Sequence, residues 1–231
     1  MSKLLTLAGT EVEIQEIQTW NERMFRLYQS DRLYFHPNFL IRKIQARRIR
    51  TIVDFLQVSP NDAVLDVGCG EGHLFAHLPR SARRVGIDLC RTALAVAGER
   101  YHNAEWVHGD VHCMPFQSHL FDKVCCSEVL EHVLNPDRLI RELFRVVKPT
   151  GRVVLTIPIE KALNRVKDLM LTNPFGRQLF PDIPRRTEWH LTEYSPELLQ
   201  TQVRDLFCIE RAKQLPWSWL GLGYGILCTP K

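Results

Sequence analysis

The chain lacks the cysteine and apolar patterns of a secreted, zinc-binding or membrane-spanning protein. Its seven cysteines are an odd number, and no two of them form a C-x-x-C pair. Disulfide frameworks and zinc sites need such patterns, so we expect reduced thiols and no metal site. Residues Met1–Leu5 contain no apolar signal region, and no apolar run approaches the ~18 residues of a spanning helix. These absences predict a cytoplasmic protein without a transmembrane segment.

The chain also has little net charge, +4 over 231 residues, but that charge is unevenly distributed. Between Asn21 and Arg50 there are eight Arg or Lys and two acids, a local charge of +6 that leaves −2 for the remainder. The basic patch at Arg42–Arg50 could contact an anionic substrate, a phosphorylated carrier or a membrane surface. The alternative is a solvated helix face.

Short apolar segments alternate with helical ones through the middle of the chain. This alternation predicts an α/β fold with a mostly parallel sheet and helices on both faces. The predicted strands are 63–67, 84–88, 105–108, 122–126 and 152–157, and the helices between them are 92–100 and 136–147. Helices at 11–30 and 37–56 precede this region, and a helix at 195–203 with two closing strands, 206–211 and 222–229, follows it.

The stretch from Pro158 to Tyr194 interrupts this alternation, since it has four prolines and no clear strand. Long irregular segments in a compact domain are usually lids or binding loops. We therefore expect one domain with four parts: a helical cap (1–58), a cofactor-binding core (59–157), a substrate lid (158–194), and a closing helix with a β-hairpin (195–231).

A glycine-rich turn, Gly68-Cys69-Gly70-Glu71-Gly72, follows the first predicted strand of the core and leads into a helix predicted to reach about Leu78. Glycine permits positive φ and lets a ligand approach the backbone closely. The dinucleotide fingerprint would need a glycine where His73 stands, and a Walker A loop would need Lys and a hydroxyl there. A tight connection between strand and helix would leave the same trace, so the turn alone does not establish a site.

Acidic residues follow the next two strands of the core. Asp88 closes the strand 84–88, about 20 residues after Gly68, and could either accept hydrogen bonds from ribose hydroxyls or cap the following helix. Asp110 follows the strand 105–108. Since the carboxyl ends of parallel strands share one edge, where ligands bind in open α/β folds, these acids indicate a binding edge.

Four motifs in order resemble the class I S-adenosylmethionine-dependent methyltransferases, in particular the small-molecule branch that includes the ubiquinone/menaquinone biosynthesis type. They are VLDVGCGEGHL, GIDL, HGDVHCMPFQSHLFDKVCCSEVLEHV and RELFRVVKPTGRVVLTIP, within residues 62–158. The resemblance implies a Rossmann-like three-layer sandwich with a seven-stranded sheet and an antiparallel last strand. It also implies that S-adenosylmethionine is the cofactor and that a small molecule accepts the methyl group at O, N or C.

The resemblance assigns cofactor contacts residue by residue. The methionine end would lie against Asp66, Gly68, Cys69 and Gly70; the ribose and adenine against Asp88, Leu89, Asp110 and Val111; and the methyl group near Ser127 and Glu128.

Methyl transfer from a sulfonium needs no metal, and it needs a base only where the accepting atom carries a proton of high pKa. The candidate bases are His190, Tyr194 and His132, each of which could instead be structural. Trp217 and Trp219 could border a hydrophobic substrate site, although packing in the closing hairpin is the alternative.

Three other functions remain open from the sequence. An NAD(P)-dependent oxidoreductase is disfavoured by His73 and by the Asp110 motif. A cofactor-binding scaffold without turnover would retain the same binding residues. An RNA or protein methyltransferase could use the basic patch, although Ser127–Leu130 lacks the Asn/Asp-Pro-Pro-aromatic motif of enzymes that methylate base amino groups. That absence does not exclude methylation of carbon or ribose, but a nucleic-acid partner is not expected. The sequence does not name the acceptor.

Overall fold

A computed structural model describes residues 4–7, 10–27, 31–172 and 190–231. A two-stranded hairpin comes first and a seven-stranded sheet follows. The strands are β1 (Leu4–Leu7), β2 (Thr10–Glu13), β3 (Ala63–Val67), β4 (Arg83–Asp88), β5 (Glu105–His108), β6 (Phe121–Ser127), β7 (Val147–Pro158), β8 (Phe207–Leu215) and β9 (Gly223–Pro230). The large sheet has the order β5-β4-β3-β6-β7-β9-β8. Strand β9 is antiparallel to both of its neighbours and the others run parallel, which confirms the expected sheet.

The helices begin where the sequence supplies capping side chains. Asn38, Asn135 and Ser195 each accept a hydrogen bond from a backbone N–H in the first turn of the helix that follows. Such caps satisfy donors that have no partner within the helix. The helices are α1 (Ile14–Leu27), α2 (Asp31–Tyr34), α3 (Phe39–Leu56), α4 (Arg91–Arg100), α5 (Pro136–Val146), α6 (Glu160–Thr172) and α7 (Pro196–Val203), and there are 3-10 helices at His73–His77 and Leu130–His132.

Buried side chains alternate between the two faces of the sheet, as the pleat requires. On one face, Val64 and Val154 pack with Phe55 of α3. On the other face, Leu65 and Leu155 belong to a cluster that includes apolar side chains of α5 and α7. The result is the expected three-layer arrangement, in which both faces of the sheet are covered.

Two expectations for the N-terminal part were wrong in their bounds. The helix expected over 11–30 begins only at Ile14, because residues 10–13 pair with 4–7 as a hairpin. The helix expected from Pro37 begins at Phe39, because Asn38 provides the cap through a 2.9 Å bond from the Leu40 N–H.

The expectation of an irregular segment over 158–194 was wrong for its first third. Residues Glu160–Thr172 form α6, with Leu163, Val166 and Met170 at helical spacing, and every proline of the segment lies outside it. The prolines obscured a helical period that was present in the sequence. The part of the expected lid at 173–189 lies outside the described residues.

Strand β7 is also longer than expected. It begins at Val147, so that Lys148–Gly151, which lies between the expected helix 136–147 and the expected strand 152–157, is part of it. Among the described residues, no helix is both long enough and apolar enough to cross a bilayer.

Candidate functional site

The glycine turn after β3 has the backbone conformation that glycine permits. Gly68, Gly70 and Gly72 have φ of 68°, 51° and 75°. A Cβ at Gly68 would lie 2.4 Å from Cγ2 of Val129, so the turn packs against the segment after β6. A Cβ at Gly70 would meet nothing within 4 Å, so this glycine faces open space at the carboxyl edge of the sheet.

The segment after the turn is shorter than expected. Instead of an α-helix to Leu78, the chain forms a 3-10 helix over His73–His77. Gly72 in the left-handed region starts it, and Pro79 follows two residues after its end, so only five residues remain for the helix.

Asp88 holds the turn in place from the neighbouring strand. Its Oδ2 accepts the Gly70 N–H at 2.8 Å, and its Oδ1 accepts the Cys90 N–H at 2.8 Å. The alternative that Asp88 is the N-cap of α4 is wrong, since Cys90 occupies that position. Burial raises the pKa of Asp88 against the opposing effect of these hydrogen bonds. Each carboxylate oxygen can accept a further bond, as a ligand with two hydroxyls would require.

Asp66 lies beneath the turn and is 6% exposed. Burial raises its pKa to about 7; a hydrogen bond with Cys125 lowers the pKa and the charge of Asp88 raises it. The carboxyl group therefore changes charge near neutrality, and a cation placed beside it would favour the ionised form.

Asp110 is fixed at the same edge in its ionised form. Partial burial raises its pKa, but hydrogen bonds from the His112 backbone (2.9 Å) and from Nδ1 of His112 (2.6 Å) contribute to a net lowering. Asp88 and His108 are partners across β4 and β5. This pairing places Asp88, the last residue of β4, close to Asp110, which follows β5. Leu89 lies there as well, with its carbonyl 3.1 Å from Nε2 of His108, and Val111 is 8% exposed.

The end of β6 is tied to β7 and to α3. The hydroxyls of Ser127 and Thr156 lie 2.8 Å apart. Glu128 has φ of 55° and pairs with Arg48 of α3, which also donates to the Tyr34 hydroxyl at 3.2 Å. Burial lowers the pKa of Arg48, but the charge of Glu128 and the hydrogen bonds with Glu128 and Tyr34 raise it overall, so Arg48 stays charged. The basic patch thus contributes one cation to the site itself.

Two histidines that are distant in sequence meet at this edge. The backbone carbonyl of Glu131 accepts the Leu191 N–H at 2.7 Å, which fastens the later segment to the end of the β6 region. The rings of His132 and His190 are then 4.8 Å apart and nearly perpendicular. Nδ1 of His190 pairs with Oε1 of Glu160 at the start of α6.

Glu131 is the most deeply buried acid of this group. It is 1% exposed, and neither carboxyl oxygen has a hydrogen-bond partner among the described residues. Burial and the charge of Glu128 raise its pKa well above the ordinary value. Ligand atoms of Glu131, His132 and His190 lie within 4.8 Å of one another, a group that could also hold a cation.

The third candidate base lies in a different setting. Tyr194 is 3% exposed and its hydroxyl donates to Oε1 of Gln202 at 2.9 Å. Burial raises its pKa, so the packing alternative is favoured for this residue. Trp217 and Trp219 stack on each other in the loop between β8 and β9, with ring centroids 5.6 Å apart.

Sequence reasoning missed Arg48 and Glu160 as members of the site. Arg48 was one of several cations in a run, and only the pairing with Glu128 distinguishes it. Glu160 belongs to the unexpected helix α6. The only signal for Glu160 in the sequence was an acidic residue two positions after the last strand of the core.

These features define the class of the protein: a parallel α/β sheet with a glycine turn and carboxylates at the ends of successive strands is a nucleoside-binding Rossmann-like fold. Residues 65–155 match the family model described as "Methyltransferase domain". The chain is 31% identical over 173 residues to the ubiquinone biosynthesis O-methyltransferase of Hydrogenovibrio crunogenus, covering 71% of this chain and 68% of the relative. It is 32% identical over 146 residues to the 2-phytyl-1,4-naphtoquinone methyltransferase of Thermosynechococcus vestitus, covering 60% of this chain and 63% of the relative.

The chain belongs to the S-adenosylmethionine-dependent methyltransferase family, as the resemblance implied. The crystal structure of magnesium protoporphyrin IX methyltransferase from Synechocystis PCC 6803 with bound SAH has the same fold, with a TM-score of 0.68 and 17% identity over 93% of this chain and 100% of that chain. The chain spans 56–68% of the length of three of the curated relatives that it matches. The family is not that of the NAD(P)-dependent oxidoreductases, the alternative that His73 disfavoured.

The residues present fit the cofactor of this family. S-adenosylmethionine carries an ammonium group, ribose hydroxyls and no pyrophosphate, so it needs carboxylate acceptors rather than a phosphate cradle. The open space above Gly70 is a cradle that a Cβ would fill. Asp66 and Asp88, on the neighbouring strands β3 and β4, supply carboxylates for it, and Asp88 is already bonded to the Gly70 N–H.

Proposed function

We propose that the protein transfers a methyl group from S-adenosylmethionine to a hydroxyl oxygen of a small molecule. Two relatives, a ubiquinone biosynthesis O-methyltransferase and a naphthoquinone methyltransferase, support an acceptor built on a ring of quinone type. The seven cysteines are all free thiols, which supports action in the cytoplasm.

The cofactor-binding part of the proposal assigns each residue one task. Gly68, Cys69 and Gly70 leave room for the methionine end, and Asp66 faces its ammonium group. Asp88 accepts from the ribose hydroxyls, while Leu89, Asp110 and Val111 border the adenine. Ser127 and Glu128, at the end of β6, border the methionine end from the other side. When bound, the cofactor supplies a methyl group on a positively charged sulfur. Because this sulfur leaves as a neutral thioether, it needs no further activation.

The catalytic part rests on one observation, the pairing of His190 with Glu160 beside His132. With Nδ1 donating to the Glu160 carboxylate, the neutral His190 ring carries its lone pair on Nε2, and Glu160 stabilises the ring once it is protonated. His190 Nε2 takes the hydroxyl proton of the acceptor, so that the acceptor oxygen could receive the methyl group while the sulfur of the cofactor would keep the electron pair of the broken bond. The raised pKa of Glu131, which burial causes, disfavours a second negative charge beside the dyad.

Turnover with labelled S-adenosylmethionine tests the proposal. The substrates are simple catechols and hydroquinones alongside fractionated cell extract, and label should enter the small-molecule or lipid fraction. His190→Phe and Glu160→Gln should each lower kcat by about a hundredfold or more, with cofactor affinity unchanged. An acceptor of lower pKa, or a higher assay pH, should restore part of the loss, since the ionised hydroxyl needs no base.

Exposed Glu193→Gln is the matched control and should turn over at the wild-type rate. Unchanged turnover in His190→Phe would remove the base from the mechanism. Activity that is lost on chelation and restored by a divalent cation would assign Glu131, His132 and His190 to a cation instead. Label confined to RNA or protein would favour the alternative acceptors, and cofactor binding without any transfer would favour the scaffold.

A further inference from the structure

The surface around the start of α3 exposes large apolar side chains. Phe39 and Leu40 in its first turn are 65% and 42% exposed, and Trp219 in the loop between β8 and β9 is 76% exposed. Single exposed apolar residues are ordinary on a protein surface, whereas a group of them joined together is not. These three residues would form such a group if they belonged to one surface.

Cation–π contacts connect cations of α3 with Phe39 and with the loop that carries Trp219. Nζ of Lys43 lies 5.5 Å from the Phe39 ring centroid, and the guanidinium carbon of Arg47 lies 5.1 Å from that of Trp217. Trp217 in turn stacks on Trp219. We name this set of six residues the aromatic–basic rim: Phe39, Leu40, Lys43, Arg47, Trp217 and Trp219.

The charge of the rim has one sign. Helix α3 carries five Arg or Lys between residues 42 and 50 and a single acid, Asp54, near its other end. Arg48 is paired with Glu128, while Arg42, Lys43, Arg47 and Arg50 remain exposed at the surface. The rim therefore complements an anionic surface, and aromatic side chains among the cations suit the depth of lipid headgroups.

The rim lies at the same edge of the sheet as the cofactor site. Arg48 of α3 reaches Glu128 at the carboxyl end of β6, while Gln57, just past the other end of α3, bonds Arg152 at the opposite edge. The loop with Trp217 and Trp219 joins β8 and β9 at Leu215 and Gly223, and Gly223 is the partner of Pro158, the last residue of β7.

We propose that the aromatic–basic rim seats the protein on an anionic membrane surface, with the carboxyl edge of the sheet facing the lipid. Phe39 and Trp219 enter the headgroup region and Lys43 and Arg47 contact lipid phosphates. Side chains exposed by 65% and 76% protrude rather than line a groove. A deformable lipid surface accommodates such protrusions, whereas a protein partner needs a matching shape. The docking does not depend on methylation, so its test uses no turnover.

Vesicle co-sedimentation with the full chain tests the proposal, comparing pure phosphatidylcholine with phosphatidylcholine containing about one third phosphatidylglycerol. The wild type should bind the anionic vesicles at least about tenfold more tightly, and less so as salt rises. Lys43→Gln with Arg47→Gln should remove that preference. Phe39→Ala with Trp219→Ala should lower binding by about tenfold or more. Trp217 and Trp219 emission should shift to the blue on binding.

The controls are matched substitutions near the opposite edge: Ile209→Ala, an exposed apolar residue near the start of β8, and Arg204→Gln, an exposed cation after α7. Both should bind vesicles as the wild type does. Equal binding to neutral and anionic vesicles, or equal losses in the controls, would overturn the proposal. A dimer that Trp219→Ala dissociates, or tight binding to single-stranded RNA without binding to vesicles, would assign the rim to another occupant and overturn it as well.

Discussion

Asp66 offers the sharpest test of the electrostatics of the cradle, through the substitution Asp66→Asn. The carboxyl group is 6% exposed, and burial raises its pKa from the ordinary value of 3.8 to about 7. In the unfolded chain the group ionises near its ordinary value, so the folded protein binds an extra proton between these two values. Its free energy of unfolding therefore falls as pH rises through this window, and the full cost is reached above about pH 7.

The magnitude follows from the same pKa difference. Each pKa unit is worth about 1.4 kcal/mol, so the ionised Asp66 costs the ligand-free protein about 4 kcal/mol at high pH. Asn has the shape of the neutral acid and never ionises. The advantage of Asp66→Asn over the wild type should therefore widen by about 2.5 kcal/mol between about pH 5 and about pH 8. Any difference in the hydrogen bond with Cys125 changes the free-energy difference between the two proteins by the same amount at every pH. It therefore does not alter how that difference depends on pH.

Urea unfolding of both proteins at several pH values measures the difference in their free energies of unfolding. Asp122→Asn is the control. Asp122, at the opposite edge, bonds Lys148 at 2.7 Å and the Ala63 N–H at 2.9 Å. Burial raises the pKa of Asp122, but these partners contribute to a net lowering, so its charge affects the pH dependence of stability only below about pH 4. The difference in free energy of unfolding between Asp122→Asn and the wild type should therefore be constant over the range measured. A difference in free energy of unfolding between Asp66→Asn and the wild type that does not change with pH would refute the idea that burial raises the pKa of Asp66. Cofactor affinity should fall in Asp66→Asn and fall more at pH 8 than at pH 5.

Four further substitutions test the turn and its supports. Gly70→Ala should fold and yet lose binding of the demethylated cofactor in calorimetry, because its Cβ fills open space; Gly68→Val should in addition lower Tm, because its Cβ would meet Val129 at 2.4 Å. Asp88→Ala should weaken cofactor binding by about 1.5–3 kcal/mol, and a normal dissociation constant would count against the site. Glu22→Gln should destabilise the protein by about 1 kcal/mol, since Glu22 accepts the Arg91 and Thr92 N–H groups at the start of α4; hydrogen exchange at those amides should rise, and unchanged protection would contradict it.

The sheet could be predicted because its signals are local. The segments 63–67, 84–88 and 105–108 are short apolar runs between turn residues, and each lies within one residue of the observed strand. The antiparallel β9 came from the family resemblance, since nothing in the run 222–229 states its direction. The predicted bounds were wrong where pairing or capping decides them: residues 10–13 pair with residues 4–7, and Asn38 rather than Pro37 provides the start signal of α3 by capping it.

The cradle could be predicted for a similar reason, since strand ends bring Asp66, Asp88 and Asp110 to one edge. The base could not be worked out in full, because the meeting of His190 with His132 depends on a backbone bond between Leu191 and Glu131, 60 residues apart in sequence. Glu160 was hidden in a segment whose prolines indicated a loop. Pairings that only the tertiary structure creates leave no periodic trace in a sequence.

The N-terminal segment completes the site rather than merely covering it. Glu22 of α1 reaches the start of α4, the Tyr34 ring of α2 stacks on His73 with centroids 3.9 Å apart, and Arg48 of α3 pairs with Glu128. The three contacts fall on three neighbouring parts of the carboxyl edge, beside the strands β4, β3 and β6. Phe55 of α3 also covers one face of the sheet. The residues that carry the family motifs thus depend on α1–α3 for a charge partner and for part of their core, so the cradle and the N-terminal helices should form as one cooperative unit.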